Sequence, residues 1–260
     1  MPESLAKIEW SEVTNGDVTA RVILDHPEKL NVFGAEMIAT VTGLIQEASR
    51  HETIRVLILT SSTTRAFSGG ANIYEFAKLD PDGAERFIRS LHELCAAVRA
   101  CPVPVIAAIH GYCLGGALEL AASCDLRVAS EEAQFGMPEV RVGLPSVIEA
   151  RLLPLLIGWG KTAELLYTGE LIPADEALQC GLVERVVEGS ELDDAVEHWV
   201  RPIVASGPQA IRTQKRLMRR WQETSIETGI EESIQAFRRA YESGEPAVYT
   251  KPFLKRKERP

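Results

Sequence analysis

Ala66-Phe67-Ser68-Gly69-Gly70-Ala71-Asn72-Ile73 and His110-Gly111-Tyr112-Cys113-Leu114-Gly115-Gly116-Ala117-Leu118-Glu119-Leu120 are two glycine-pivoted segments about forty residues apart. Each follows an apolar run that reads as a buried strand, Ile54–Thr60 and then Val103–Ile109, and each leads toward a helical stretch. Glycine lets a backbone pass close to a ligand, and a helix start leaves N–H groups unpaired. Two such turns side by side would aim two N–H donors at one oxygen, the construction of an oxyanion hole. Glu119 follows one helical turn into the second segment, so an acid/base group would stand beside the donors. Taken singly, each turn reads equally well as glycine permitting tight strand–helix packing.

Strands and helices alternate around these turns. Lys7–Trp10 and Val18–Leu24 flank Asn15-Gly16-Asp17, which predicts a hairpin. A helix is expected over Ala35–Ser49, another over Pro81–Arg99, a short one ending by Ser123, and a strand over Leu126–Ala129. Such alternation implies an α/β fold with parallel strands joined by right-handed crossovers. From Ser146 onward helices dominate, with one strand near Leu182–Val187, and Ser206-Gly207-Pro208 opens a long amphipathic stretch through Tyr241. Periodicity alone stops at α/β with a helical tail.

The motifs carry more. Ala66–Ile73 resembles the first signature of the crotonase (enoyl-CoA hydratase/isomerase) superfamily, and Gly111–Leu120 followed by Cys124-Asp125 resembles the second. Pro27-Glu28-Lys29-Leu30-Asn31, Ala133-Gln134-Phe135-Gly136-Met137-Pro138-Glu139, and Thr168-Gly169…Ala174…Ala177…Gly181-Leu182-Val183 match in the same order across almost the whole chain. The resemblance implies a crotonase-like spiral of β-β-α units, with a core over residues 1–200 and a C-terminal helical region over 201–260 used for assembly into a homotrimer or homohexamer.

It also implies chemistry on acyl-CoA thioesters. The backbone N–H groups of Ser68 and Gly116 match the family's oxyanion hole, which would hold the negative charge of a thioester enolate. Glu119 and Glu139 match its general acid and base. Two carboxylates facing one apolar pocket cannot both ionise easily, so their proton affinities separate. Hydratase relatives carry glutamate at both positions and isomerases commonly only at the later one, so the pair favours hydration, with Glu119 activating water and Glu139 delivering a proton. Lys29, Leu30, Ala66, Ser68, Gly69, Gly70, Ala71, Ile73 and Gly115 match substrate- and CoA-lining stretches, and Phe253 with Lys255 and Arg256 resembles a C-terminal lid. No metal and no cofactor beyond the coenzyme A of the substrate is implied. Isomerisation is the first alternative, then decarboxylation or thioester hydrolysis on the same scaffold. A non-catalytic scaffold or RNA binder is the rival from another class.

Bulk properties agree with a globular enzyme. The chain has 260 residues, 45% of them apolar, and a net charge of −9 that argues against general nucleic-acid binding. No apolar run approaches the ~18 residues of a membrane span, and the start has no basic stretch followed by an apolar one, so a cytoplasmic location is expected. The five cysteines form no Cys-x-x-Cys pair and read as buried thiols. His92 and Cys95 lie one helical turn apart without further ligands at metal spacing, which points to a packed helix face. His110 reads as packing at a strand end. Gly158-Trp159-Gly160-Lys161-Thr162 ends like a phosphate loop, but Leu155 stands where its first glycine belongs, so a helix junction is expected.

Two segments depart from the family pattern. Asn72 replaces the more usual aspartate, and Val142–Ala150 lacks the glycine-rich run that follows the second glutamate in hydratases. That second segment places a third acid, Glu149, near the expected acyl site. Ser146-x-x-Glu149 ahead of the apolar stretch Leu152–Ile157 matches a capping box, which predicts a structural role for Glu149.

Overall fold

The structure, a computed structural model, describes residues 4–14 and 16–257; Asn15 of the expected hairpin turn lies outside them, as do the side chains of Phe253, Lys255 and Arg256. In chain order the elements are β1 (Ala6–Glu12), β2 (Val18–Leu24), α1 (Ala35–Arg50), β3 (Ile54–Ser61), β4 (Ala66–Ser68), α2 (Ile73–Phe76), α3 (Pro81–Ala100), β5 (Val105–Ile109), β6 (Tyr112–Leu114), α4 (Gly116–Ala122), β7 (Leu126–Ser130) and β8 (Gln134–Gly136). They continue as α5 (Leu153–Thr168), β9 (Leu171–Pro173), α6 (Ala174–Gln179), β10 (Arg185–Val187), α7 (Leu192–Ala205), α8 (Pro208–Glu223), α9 (Ile226–Glu242) and α10 (Glu245–Lys257).

Two sheets divide the strands. β1-β2-β3-β5-β7-β10 form the larger, antiparallel only between β1 and β2, and β4-β6-β8-β9 form the smaller, antiparallel only between β8 and β9. The chain therefore leaves a long strand of the first sheet, runs a few residues, and adds a short strand to the second before its next helix. That happens at β3-β4, β5-β6 and β7-β8, giving the expected spiral of β-β-α units. The short strands of the second sheet escape sequence reading because three residues are too few to show alternation.

β3 shows how the large sheet is held. Successive side chains point to opposite faces: Leu57 and Leu59 join the main core with Met37, Val41 and Ile45 of α1 and Leu91 and Leu94 of α3, whereas Val56 and Ile58 pack with Leu192, Val196 and Val200 of α7. Both faces are covered, so the strand reads as a continuous apolar run.

The C-terminal stretch is divided. Ser225 caps α9 by accepting the Thr228 N–H at 3.2 Å, so the single long stretch expected through Tyr241 is two helices, α8 and α9. The expected boundary after residue 200 falls inside α7. Gly158, at φ 72, kinks α5, which makes the loop-like Gly158–Thr162 motif the helix junction anticipated.

Candidate active site

The first glycine turn is set by the chain that precedes it. Pro27–Lys29 make one 3₁₀ turn, and Leu30 and Asn31 follow at φ 53 and 52. This brings Leu30 O against Gly69 N–H at 2.8 Å and turns the Asn31 side chain inward. The Asn31 amide donates to Phe67 O at 3.1 Å and Ala66 O at 3.3 Å, while its oxygen accepts the His26 N–H at 2.7 Å. A peptide is planar, with C=O and N–H on opposite edges. Holding Phe67 O therefore fixes the direction of the Ser68 N–H, pointing it away from Asn31. The Ser68 hydroxyl donates to Asn31 O at 2.7 Å and accepts the Gly70 N–H at 3.1 Å, so it is committed to the turn. Asn31 belongs to the matching Pro27–Asn31 segment, which carries no role for it in the sequence because its partners are backbone groups.

The second turn places Gly115 at φ 54, a conformation reserved for glycine, and a Cβ there would overlap Glu139 Oε1. Gly115 thus lets Glu139 come against the start of α4. Gly116 is the first residue of that helix, a position whose N–H has no intrahelical partner.

A cavity of about 630 Å³ opens in front of these turns, lined by Gly116, Glu119, Glu139 and Ala71 among apolar side chains that include Phe76, Leu79, Phe87, Ile88, Leu91, Leu144, Pro145 and Val147. Glu119 is 3% exposed, and its Oε1 accepts the Ala150 N–H at 2.9 Å. Burial pushes its carboxyl up to about 8, against the opposing effect of that N–H, and the neighbouring Glu139 and Glu149 raise it further. Glu139 lies in a 3₁₀ turn over Pro138–Val142, and burial raises it too, while a hydrogen bond from Ser146 Oγ at 2.8 Å favours its ionised form. The two acids share one cavity and differ in how they are held.

The capping-box expectation is overturned. Helical structure starts as a 3₁₀ turn at Ile148, its cap is Val147 rather than Ser146, and no side chain caps it. Ser146 bonds to Glu139 instead. Glu149 points inward, 5% exposed, with Oε1 2.9 Å from His92 Nδ1. Ile148 at φ 41 breaks the turn that a capping box needs.

Other expected residues scatter. Ala66, Ser68, Gly69 and Gly70 form the first turn, Lys29 and Leu30 lie beside it, and Ile73 is exposed at the start of α2. Among the described residues of the CoA-lining set, Ala71 reaches the cavity wall, together with Gly116 and both acids. His92 is half-exposed on α3, Cys95 is buried beneath it, and His110 is half-buried, which lowers its proton affinity. Among the described residues no three His, Cys, Asp or Glu side chains cluster as metal ligands.

The sequence profile described as Enoyl-CoA hydratase/isomerase matches residues 15–250. The chain belongs to that family. YngF of Bacillus subtilis is 39% identical to this hydratase/isomerase homologue over 212 residues, 81% of this chain and 82% of YngF. The short-chain-enoyl-CoA hydratase of Clostridium acetobutylicum is 33% identical over 219 residues, 84% of each chain. The crystal structure of enoyl-CoA hydratase from Bacillus anthracis superposes with a TM-score of 0.89 at 28% identity, covering 96% of each chain.

Against this enoyl-CoA hydratase/isomerase background, both departures acquire a structural reason. The Asn72 oxygen accepts the Tyr74 N–H at 3.1 Å, and its amide donates to Glu75 Oε1 at 3.0 Å, which aspartate cannot do. Glu75 in turn accepts the Ala35 N–H at the start of α1 at 3.1 Å. The atypical segment supplies the hydrogen bonds that hold both acids, Ser146 to Glu139 and Ala150 to Glu119.

Proposed function

We propose that this chain is an enoyl-CoA hydratase, a hydro-lyase that adds water reversibly to 2-enoyl-CoA thioesters to give 3-hydroxyacyl-CoA. The observation that carries the reading is Glu119 and Glu139 facing one apolar cavity beside Gly116. The Ser68 and Gly116 N–H groups accept the charge that builds on the thioester oxygen as water adds at the β-carbon. Glu119 takes a proton from the attacking water, and Glu139 gives one to the α-carbon. The bookkeeping of hydration is closed: one O–H bond of water and the C=C π bond break, one C–O and one C–H bond form, and no external oxidant or reductant is needed.

Each hydration therefore ends with the proton on Glu119 and Glu139 ionised. That is also the arrangement the free site prefers, since Glu119 is the acid pushed to about 8. The same arrangement starts the reverse reaction, with Glu119 protonating the departing hydroxyl and Glu139 removing the α-proton. Hydration draws on the other tautomer of the same singly protonated pair.

The thioester and its nucleotide are assigned to the turn formed by Lys29, Leu30 and Ala66–Ile73, with α10 as a further contributor. Assembly into a trimer, or a pair of trimers, is supported by α9, where Ile226, Ile230, Ile234, Phe237 and Tyr241 form an exposed apolar stripe instead of covering their own domain. No helix among the described residues is long and apolar enough to cross a membrane, and the cytoplasm remains the proposed location.

Mixing the protein with crotonyl-CoA and following the absorbance of the conjugated thioester tests the reading. Loss of conjugation with formation of 3-hydroxybutyryl-CoA is expected. No change with any of several acyl chain lengths would overturn hydration, and a moved double bond without water uptake would make the chain an isomerase.

A further inference from the structure

Glu149 is a buried acid that the reaction above does not use. Its side chain is 6% exposed, its Oε1 faces His92 Nδ1 at 2.9 Å, and its Oε2 is buried without a hydrogen-bond partner. Ile148 before it stands at φ 41, a left-handed conformation that a β-branched residue avoids. Strain of this kind and a half-satisfied buried carboxylate are both unfavourable and persist only where surrounding structure imposes them. The next peptide shows what they accompany: the Ala150 N–H donates to Glu119 Oε1 at 2.9 Å. The same N–H also donates to Val147 O at 3.0 Å within the 3₁₀ turn, so it is shared, and the inward turn at Glu149 sets that shared N–H beside the Glu119 carboxyl.

We propose that Glu149, anchored by His92, is a positioning residue for Glu119: it holds the Glu149–Ala150 peptide against that carboxyl, and its charge sets how firmly Glu119 keeps the proton it shares with Glu139. The proposal rests on the hydratase reading only for the reaction that reports it.

The groups facing Glu149 are few. From α3 come His92 and the Cys95 thiol, which burial, and then Glu149 and Glu119, hold well above the usual range, so that it stays uncharged. From α4 comes Glu119, with Glu139 beyond it across the cavity. The first turn of α5, Leu153–Ile157, is apolar, and Arg151 on the 3₁₀ turn itself is exposed. His92 is thus the side-chain hydrogen-bond partner of Glu149 among the described residues. Burial is the main reason Glu119 holds its proton, and the Glu149 charge adds to it. Neutralising Glu149 must then let Glu119 ionise at lower pH. Removing His92 takes away the side-chain partner that anchors Glu149 and loosens the Ala150 N–H bond that favours ionised Glu119, so it must do the reverse.

The test is an infrared difference titration of the Glu119 carboxyl in the substrate-free protein, with its band assigned by its absence in Glu119→Gln. Glu149→Gln is expected to lower the pH at which Glu119 ionises by about one pH unit, a tenfold change in proton affinity. His92→Ala, at a half-exposed helix position, is expected to raise it, and it carries the test if Glu149→Gln fails to fold. The alkaline limb of crotonyl-CoA hydration should move in the same directions. An unmoved Glu119 titration in folded variants, even with a lowered Tm, would reduce Glu149 to a structural residue and overturn the proposal. A wild-type protein that binds but does not hydrate crotonyl-CoA would overturn the hydratase reading instead, and the infrared titration would still decide the role of Glu149.

Discussion

The Ser146 hydroxyl donates to Glu139 Oε2 at 2.8 Å across a chain separation of seven residues. The bond favours the ionised carboxylate, so its loss raises the proton affinity of Glu139. Ser146→Ala therefore tests how Glu139 is held, through the pH profile of crotonyl-CoA hydration. The acidic limb of the pH profile, where the pair takes up its second proton, should move to higher pH. An unchanged profile would show that Ser146 merely fills space.

Glu119→Gln and Glu139→Gln should each reduce turnover severely while the protein stays folded, as measured by kcat beside circular dichroism. Near-normal kcat in either would remove that residue from the mechanism. If only Glu139 matters, isomerisation becomes the better account.

The same Glu119→Gln variant should melt higher than wild type in alkaline solution. Across the window from about 4.5 to about 8 the unfolded chain has released the Glu119 proton and the folded chain has kept it, so stability falls as pH rises. Glutamine has no proton to release. The gap in Tm should be largest near pH 8 and close as pH falls to about 4.5. Wild-type activity should fall over the upper end of that window, as the pair loses its last proton.

Asn31→Ala would leave Ala66 O and Phe67 O without their buried donor. A cost of roughly 1–3 kcal/mol in stability is expected. Because the Ser68 peptide loses its anchor, kcat should also fall by on the order of 10²-fold, toward the effect of losing one oxyanion-hole donor. Denaturant melts and steady-state kinetics on the same preparation separate the two losses.

On α9, Ile230→Glu and Phe237→Glu place charges in the exposed apolar stripe. Light scattering should give a trimeric or hexameric mass for wild type and a smaller one for the double variant. A wild-type monomer at micromolar concentration would refute the proposed assembly.

The long strands and helices were legible because each buries enough apolar residues to show its period: α1, α3, β2 and β3 lie within a residue or so of their expected limits. The second sheet was not, since Ala66–Ser68, Tyr112–Leu114 and Gln134–Gly136 are too short to alternate visibly and are specified by pairing between distant segments. Glu119 and Glu139 were legible through their motifs, and the structure does bring them together. Glu149 was misread for a local reason. Ser-x-x-Glu has two physical outcomes, and a positive φ at Ile148 accompanies the one in which each side chain finds a partner outside the turn. Asn31 stood in a matching segment, but its role was not legible because its partners are carbonyls that every sequence possesses.

The pairing of β4 with β6 and of β6 with β8 sets Ser68 beside Cys113, and Leu114 beside Gly136. A slip of one residue in either ladder would carry a turn about 3.3 Å along its neighbour and reverse the facing of every side chain in that strand. Ser68 comes from one coil of the spiral, Gly116 and Glu119 from the next, and Glu139 from the one after. Half-wound chains, or chains wound out of step, would hold all of these residues and none of their convergence. Turnover is in this sense a proofreading signal for folding, reporting that three successive coils have locked in register.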